Sequence, residues 1–509
     1  MIEAEVHQRL RAFLRDQGQR PWPHHLTMAR LVARALRLGR SALIQTGGAS
    51  AYDGSYRLSY LTPALLWPEP AIVVLPQPLQ SQILRQAIPS LQQAMPLIKP
   101  IQVGDRWPGG DFRGLLLTSP QAWLRDRLTQ QTAFPNHLPT LIDRADDLES
   151  WVQTELTVSL RASDWEHLML AYPSQSGWIR DLRVRLTHAL FQHPINPYNC
   201  YLIGEPEQAL LIELYQTLLN GYAQEPILPI TWQRFWQRFR SPERLAWSRL
   251  NRERGSIELH CSPADISATL SPIWTQQPVV LMGAALGLDD KASVYRARLG
   301  LSDMTCLKFA PDRHHDMIQL YLPDRLPMPN TSHFQVALLQ QIRALLGARA
   351  GATELTVVII GDVPLKAQVG AILAAEYGSR VQVEKAPPTS GILITGWDFW
   401  QQQQSQLCPP GLLIIATLPI PSLENPLVAG RVAAHKRRRQ DWFKLYLLPE
   451  ALSQLQRAIA PVRTRQGIVA LLDNRVNHRS YGAQVLMALS PAARSSYIDM
   501  EWLPAEEAL

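Results

Sequence analysis

The residues of this chain best suited to chemistry lie in LIDRADDLE (141–149). An apolar run ending in Asp143 is how a buried parallel strand delivers a carboxylate to its C-terminal edge. There such an acid can hold the metal ion of a bound nucleotide. A second acid beside it would orient an attacking water, but Arg144 follows Asp143. Asp146 and Asp147 come next, and a helix N-terminus accounts for both equally well. Asp143 therefore carries two readings, a metal-organising acid or a remnant at the start of a helix.

A second candidate is GGASAYDGS (47–55), between the strand-like SALIQT (41–46) and an apolar helix starting near Tyr56. Gly47, Gly48, Gly54 and Ser55 could let backbone N–H groups wrap a phosphate, with Arg57 adding charge. Such a loop also needs a lysine, and the first lysine in the chain is Lys99. A loop that binds nothing is the other reading. Basic and aromatic residues form a third set. HKRRR (435–439), with Arg437 and Arg438, is either a solvated face or a phosphate contact. In the segment 231–254, Trp232, Phe235, Trp236 and Phe239 alternate with arginines, as a base-stacking surface or as a helix core face.

The elements that must position these groups follow from length and pattern. A chain of 509 residues divides into two to four domains. No apolar run reaches the ~18 residues that span a bilayer, and the charged, amphipathic start lacks a signal-peptide core. A cytoplasmic protein with no membrane partner is expected. The four cysteines lie far apart in sequence, without the spacing of a zinc or iron–sulfur site. The net charge of +7 rests mainly on arginine, since only seven residues are lysine. Arginine's planar fork suits a polyanion.

AIVVLP (71–76), GLLLTS (114–119) and TLID (140–143) alternate with helical stretches such as 79–95. TVVIIGD (356–362), GILITG (391–396), LLIIATLP (412–419) and GIVALLD (467–473) repeat that order. The expected fold is α/β, with two parallel sheets flanked by helices and a helical insertion in the first domain. The expected bounds are 1–150 for the first domain, 151–255 for the insertion, 256–300 for the return to the first domain, and 301–509 for the second.

Several of these segments together resemble the DinG/XPD group of superfamily-two DNA helicases. The C-terminal third carries most of the likeness. Phe399 and Trp400 precede LPIPSLENPLVAGR (418–431), followed by YLLPEALSQLQ (446–456), GIVALLDNR (467–475) and YGAQVLMALSP (481–491). LQSQI (79–83), TSPQAWL (118–124), IDRADDLE (142–149), RLGL (298–301) and YLPDRLPMPN (321–330) fit in order. The resemblance implies two RecA-like domains, ATP and Mg²⁺ as cofactors, and single-stranded or forked DNA as partner.

It also identifies departures. Tyr56 stands at the family's phosphate-loop lysine and Arg57 at its metal-binding hydroxyl. Arg144 replaces the acid that handles water. MGAAL (282–286) lacks the coupling hydroxyls. In QLQRAIAP (454–461), Ala458 and Pro461 stand where arginine fingers belong, with Arg457 beside them. No cysteine falls where many relatives hold an iron–sulfur cluster, so no cluster is expected. Trp400, Arg437, Arg438 and Arg457 are the residues expected to meet nucleic acid. Three readings follow. The chain is a helicase homologue that acts on nucleic acid with impaired or absent ATP hydrolysis. Alternatively it is an active helicase with atypical motifs, or a protein-interaction scaffold on a helicase frame.

Overall fold

Two all-parallel sheets organise the chain. In the computed structural model, the described residues are 1–16, 22–95, 99–220, 228–349, 353–385 and 390–498. The first sheet runs in the order Thr305–Lys308, Ala42–Gln45, Val279–Gly283, Thr140–Ile142, Ala71–Val74, Leu115–Thr118, Ile101–Val103. The second runs Val381–Val383, Gly391–Thr395, Leu355–Ile359, Leu412–Ile415, Ile468–Leu471, Ile318–Tyr321, Ala492–Ser495. The five central strands of the first sheet are buried along their whole length. Helices cover both faces, which is why those strands read as unbroken apolar runs. One face packs Val73, Leu115 and Leu117 against Leu61 and Leu91. The other packs Ile72, Leu116 and Leu281 against Trp123, Val152 and Leu270.

The strands Ala42–Gln45, Val279–Gly283 and Thr140–Ile142 are neighbours and end together. Thr46 N donates to Gly283 O at 2.9 Å, and Asp143 N donates to Val74 O at 3.0 Å. Parallel pairing therefore sets the 47–55 segment, Asp143 and the 283–286 turn on one carboxyl edge of the sheet, where open α/β sheets place ligand crevices.

Three expectations need correction. The insertion is not wholly helical. It combines helices Ala162–Ala171, Ser176–Phe191, Glu205–Asn220 and Ile230–Phe239 with a four-stranded antiparallel sheet. Within the segment 231–254 helix Ile230–Phe239 ends early, and Arg244–Asn251 is a strand hairpinned to Ser256–Pro263. Gly255, at φ +60°, makes that turn. SIELHC (256–261) thus belongs to the insertion's sheet rather than to the returning first domain. Finally, Thr305–Lys308 pairs with Ala42–Gln45, so the first sheet extends past residue 300. No helix among the described residues is long and apolar enough to cross a membrane.

Candidate functional site

Asp143 sits at the end of its strand with no exposed surface. Its carboxylate accepts four hydrogen bonds from the chain itself. Tyr56 Oη and the Arg144 backbone N (2.7 Å) donate to Oδ1. Tyr60 Oη (2.9 Å) and Arg57 Nε (3.2 Å) donate to Oδ2. Tyr56 and Tyr60 lie one helical turn apart, so one helix face presents both hydroxyls while Arg57 reaches in between. Burial, and then the Asp143 charge, push both phenols well above their usual range, so they remain protonated donors. Burial works against the Arg57 charge, but Asp143 outweighs it and raises the guanidinium's affinity for its proton. An ionised carboxylate has about four lone-pair directions, and all four are taken.

Gly54 shapes this knot. Its φ is +76°, and a Cβ there would lie 2.1 Å from Arg57 Nη1. The missing side chain is what lets the guanidinium fold back beneath the turn. The segment expected as a loop is instead a short helix, Gly48–Asp53, followed by a 3₁₀ turn, Ser55–Arg57. Gly47 precedes it at φ +87°. Ser55 N bonds to Asp53 Oδ1 at 2.8 Å.

The next two acids are also claimed. Asp146 accepts from Ala284 N and Ala285 N, each at 2.7 Å, and so fixes the 282–286 turn. Asp147 pairs with Arg144 Nε at 3.0 Å and with Arg457 Nη1 at 2.9 Å. Arg457 comes from the second domain, so this pair spans the cleft between the sheets. Burial opposes its charge, and Asp147 and Asp146 together outweigh that and raise its pKa. Arg463 is turned elsewhere. It donates to the carbonyls of Asp316, Leu489, Ser490 and Pro491 and is pushed down to about 10 by burial.

The residues expected at nucleic acid divide. Trp400 has no exposed surface and donates Nε1 to Ala458 O at 3.1 Å. That corrects its expected role, because a base cannot stack on a ring enclosed in the second domain's core. Trp232, Phe235, Trp236 and Phe239 are likewise buried in the insertion's core. Arg438 is held by Glu243 and, at 2.6 Å, by Asp265. Arg437 is exposed at the end of helix Pro426–Arg437. Arg457 is paired with Asp147 and only partly exposed. Among the described residues, no group of three or more His, Cys, Asp or Glu is arranged to hold a metal ion.

A cleft of about 710 Å³ opens where both domains and the insertion meet. Trp247, Arg249, Arg298, Arg431 and Tyr446 are among its walls. Sequence reasoning missed this site, whose basic residues come from three separate parts of the chain. It also missed Tyr56 and Tyr60 as the partners of Asp143. Their spacing of four, around an arginine at a vacated lysine position, was the available signal.

Two parallel sheets with an insertion in the first, and this order of motifs, resemble the DinG/XPD group of superfamily-two helicases. No protein-family model matches the chain. It is similar to the ATP-dependent DNA helicase YoaA of Escherichia coli, 23% identical over 251 residues, covering 47% of this chain and 40% of that protein. YoaA of Haemophilus influenzae is 27% identical over 110 residues, 21% of this chain and 17% of that protein. The matches thus span less than half the length of these relatives. Among solved structures, Xpd4 of S. tokodaii superposes with a TM-score of 0.60 at 12% identity, over 93% of this chain and all of that one (100%). An apo XPD structure gives 0.58 at 13% identity, over 92% and 100%. At those identities the XPD structures share the fold with this chain.

Proposed function

We propose that this protein is a helicase homologue that binds single-stranded nucleic acid and does not turn over ATP. The observation that carries the second half is the saturation of the Asp143 carboxylate by Tyr56, Arg57, Tyr60 and the Arg144 N–H. A magnesium ion at that acid would have to displace a buried arginine, and its own charge would then face Arg57. The segment 47–55 has no lysine to meet the β- and γ-phosphates, and Arg57 is turned to Asp143 instead. The residues present therefore do not fit Mg²⁺-ATP at the family's position, and no hydrolytic step is routed through it.

The first half is supported by the arginine-rich charge of +7 and by the exposed Arg437. It is supported too by a cleft lined by Arg249, Arg298 and Arg431. An extended strand needs basic groups along its phosphates.

Phosphate release with and without single-stranded DNA tests the absence of turnover, and release above background stimulated by DNA overturns it. Fluorescence anisotropy of a labelled oligonucleotide tests the binding. Binding at 50 mM salt that falls steeply by 200 mM is expected from a contact carried by phosphates, by about 10³-fold for six of them. No binding at the lower salt overturns it.

A further inference from the structure

The cleft between the two parallel-sheet domains is bridged by the chain's own groups. Gly48, which opens the short helix of the first domain, lies directly on the second domain. A Cβ at Gly48 would be 3.3 Å from Gln456 O and 3.5 Å from Ala460 Cβ. Tyr52 Oη, from the same helix, donates to Gln404 O at 3.1 Å. Beside this contact the Arg457–Asp147 pair crosses the cleft. Arg298 of the first domain lies between Glu149 of its own domain (2.7 Å) and Glu450 of the second (3.4 Å).

The insertion adds a third seam. Gly430 of the second domain sits against Leu245 and Leu202, where a Cβ would fall 2.3 Å from Leu245 Cδ1. Arg438 clasps Glu243, and Arg431 reaches Gln153.

We propose that the protein is a self-closed clamp, in which the Arg457–Asp147 pair and the Gly48–Ala460 contact hold the two domains in one arrangement whether or not nucleotide is present. This goes beyond the reading above, because it concerns domain motion and stands even if nucleic acid is not bound.

The anchor is rigid on the first-domain side. Asp146 is tied to two backbone N–H groups of the 282–286 turn, so the acid that follows it cannot drift. Asp147 keeps Arg144 as a second partner. On the other side, Arg457 is largely buried, and separating the domains would exchange its pairing with Asp147 for hydration. Any ligand of the cleft would then bind with an affinity uncoupled from nucleotide, because coupling requires two states that nucleotide can distinguish.

Cross-linking of the full chain tests this. Gly48→Cys with Ala460→Cys, in a Cys408→Ser background that removes the exposed native thiol, places two thiols at a separation that matches a disulfide. Rapid, near-complete bond formation under mild oxidation without nucleotide is expected, at a rate that Mg²⁺ and a non-hydrolysable ATP analogue leave unchanged. Adding Asp147→Asn and Arg457→Gln should slow it roughly tenfold, the scale of one lost partly buried contact pair. Slow bond formation that nucleotide accelerates overturns the proposal.

Small-angle scattering of the unaltered chain is the independent measurement should these variants misfold. A radius of gyration unchanged by nucleotide supports the clamp, and contraction on adding nucleotide overturns it. A chain that fails to hydrolyse ATP yet contracts would sink this inference alone. A chain that hydrolyses ATP would sink the preceding reading, whatever the cross-linking result.

Discussion

Asp143→Asn separates a structural acid from a catalytic one. The substitution keeps the shape of the side chain but removes its charge and turns one acceptor oxygen into an NH₂ donor. Two of the four donors would then face a donor, and Arg57, 9% exposed, would lose the acid it pairs with among the described residues. Breaking one side of a buried pair costs about 3–5 kcal/mol. An unsatisfied tyrosine hydroxyl costs about 1–3 kcal/mol more. The terms share one carboxylate and do not add, so we take about 4 kcal/mol as the expected loss.

Referred to a cooperative unit of about 200 residues, at 2–4 °C per kcal/mol, this lowers the melting temperature by about 8–16 °C. Thermal melts followed by circular dichroism measure it, read at the first transition because a chain of several domains need not unfold in one step. Asp143→Asn with Arg57→Met should recover part of the loss, with a coupling of about 1–3 kcal/mol. A melting temperature that stays put or rises in Asp143→Asn would refute the reasoning. Acids kept for catalysis are commonly held at a cost in stability, and their removal is neutral or stabilising.

Gly54→Ala should act through the same knot, since its methyl group would occupy the place of Arg57 Nη1 and its φ of +76° disfavours alanine. A loss of about 2 kcal/mol or more in urea melts is expected, and much less when Asp143→Asn is already present. Trp400→Ala should cost about 3–5 kcal/mol as a cavity in the second core, while oligonucleotide affinity at a temperature where the variant is folded stays unchanged. Burial pushes the His25 imidazole from 6.5 down to about 4 while its Nδ1 pairs with Ser59 Oγ at 2.8 Å. The unfolded chain takes up that proton first, so the stability tied to neutral His25 is complete above pH 6.5 and is lost as pH falls toward 4. The loss amounts to about 3 kcal/mol, and His25→Gln should flatten the pH dependence of the melting temperature across that window.

What could be read from residues alone follows their burial. Ala71–Val74, Leu115–Thr118 and Leu412–Ile415 are enclosed on both faces, so their sequences are continuous apolar runs that no surface requirement interrupts. The edge strands Ile101–Val103 and Val381–Val383 are short and partly exposed, and nothing in their composition separates them from loop. Arg244–Asn251 carries an exposed arginine beside buried residues, and its position after an amphipathic helix disguised it as more helix.

The site was legible as a set of losses and illegible as a set of replacements. A buried carboxylate cannot simply be left behind when the lysine near it goes. Its charge requires another cation and its lone pairs require donors. Arg57 was visible as a charge in the right segment, but only the fold turns it onto Asp143 rather than outward to a phosphate. The same rule explains Arg457, whose neighbours in sequence suggested an exposed basic residue and whose neighbour in space is Asp147. Both arginines sit where the family's motifs gather charge around a nucleotide, and both are neutralised by acids of LIDRADDLE. Charge balance within the chain therefore accounts for the burial of Asp143 and the pairing of Asp147, and it links the two acids to separate consequences. Asp143 holds the first domain together, and Asp147 holds the second domain to it.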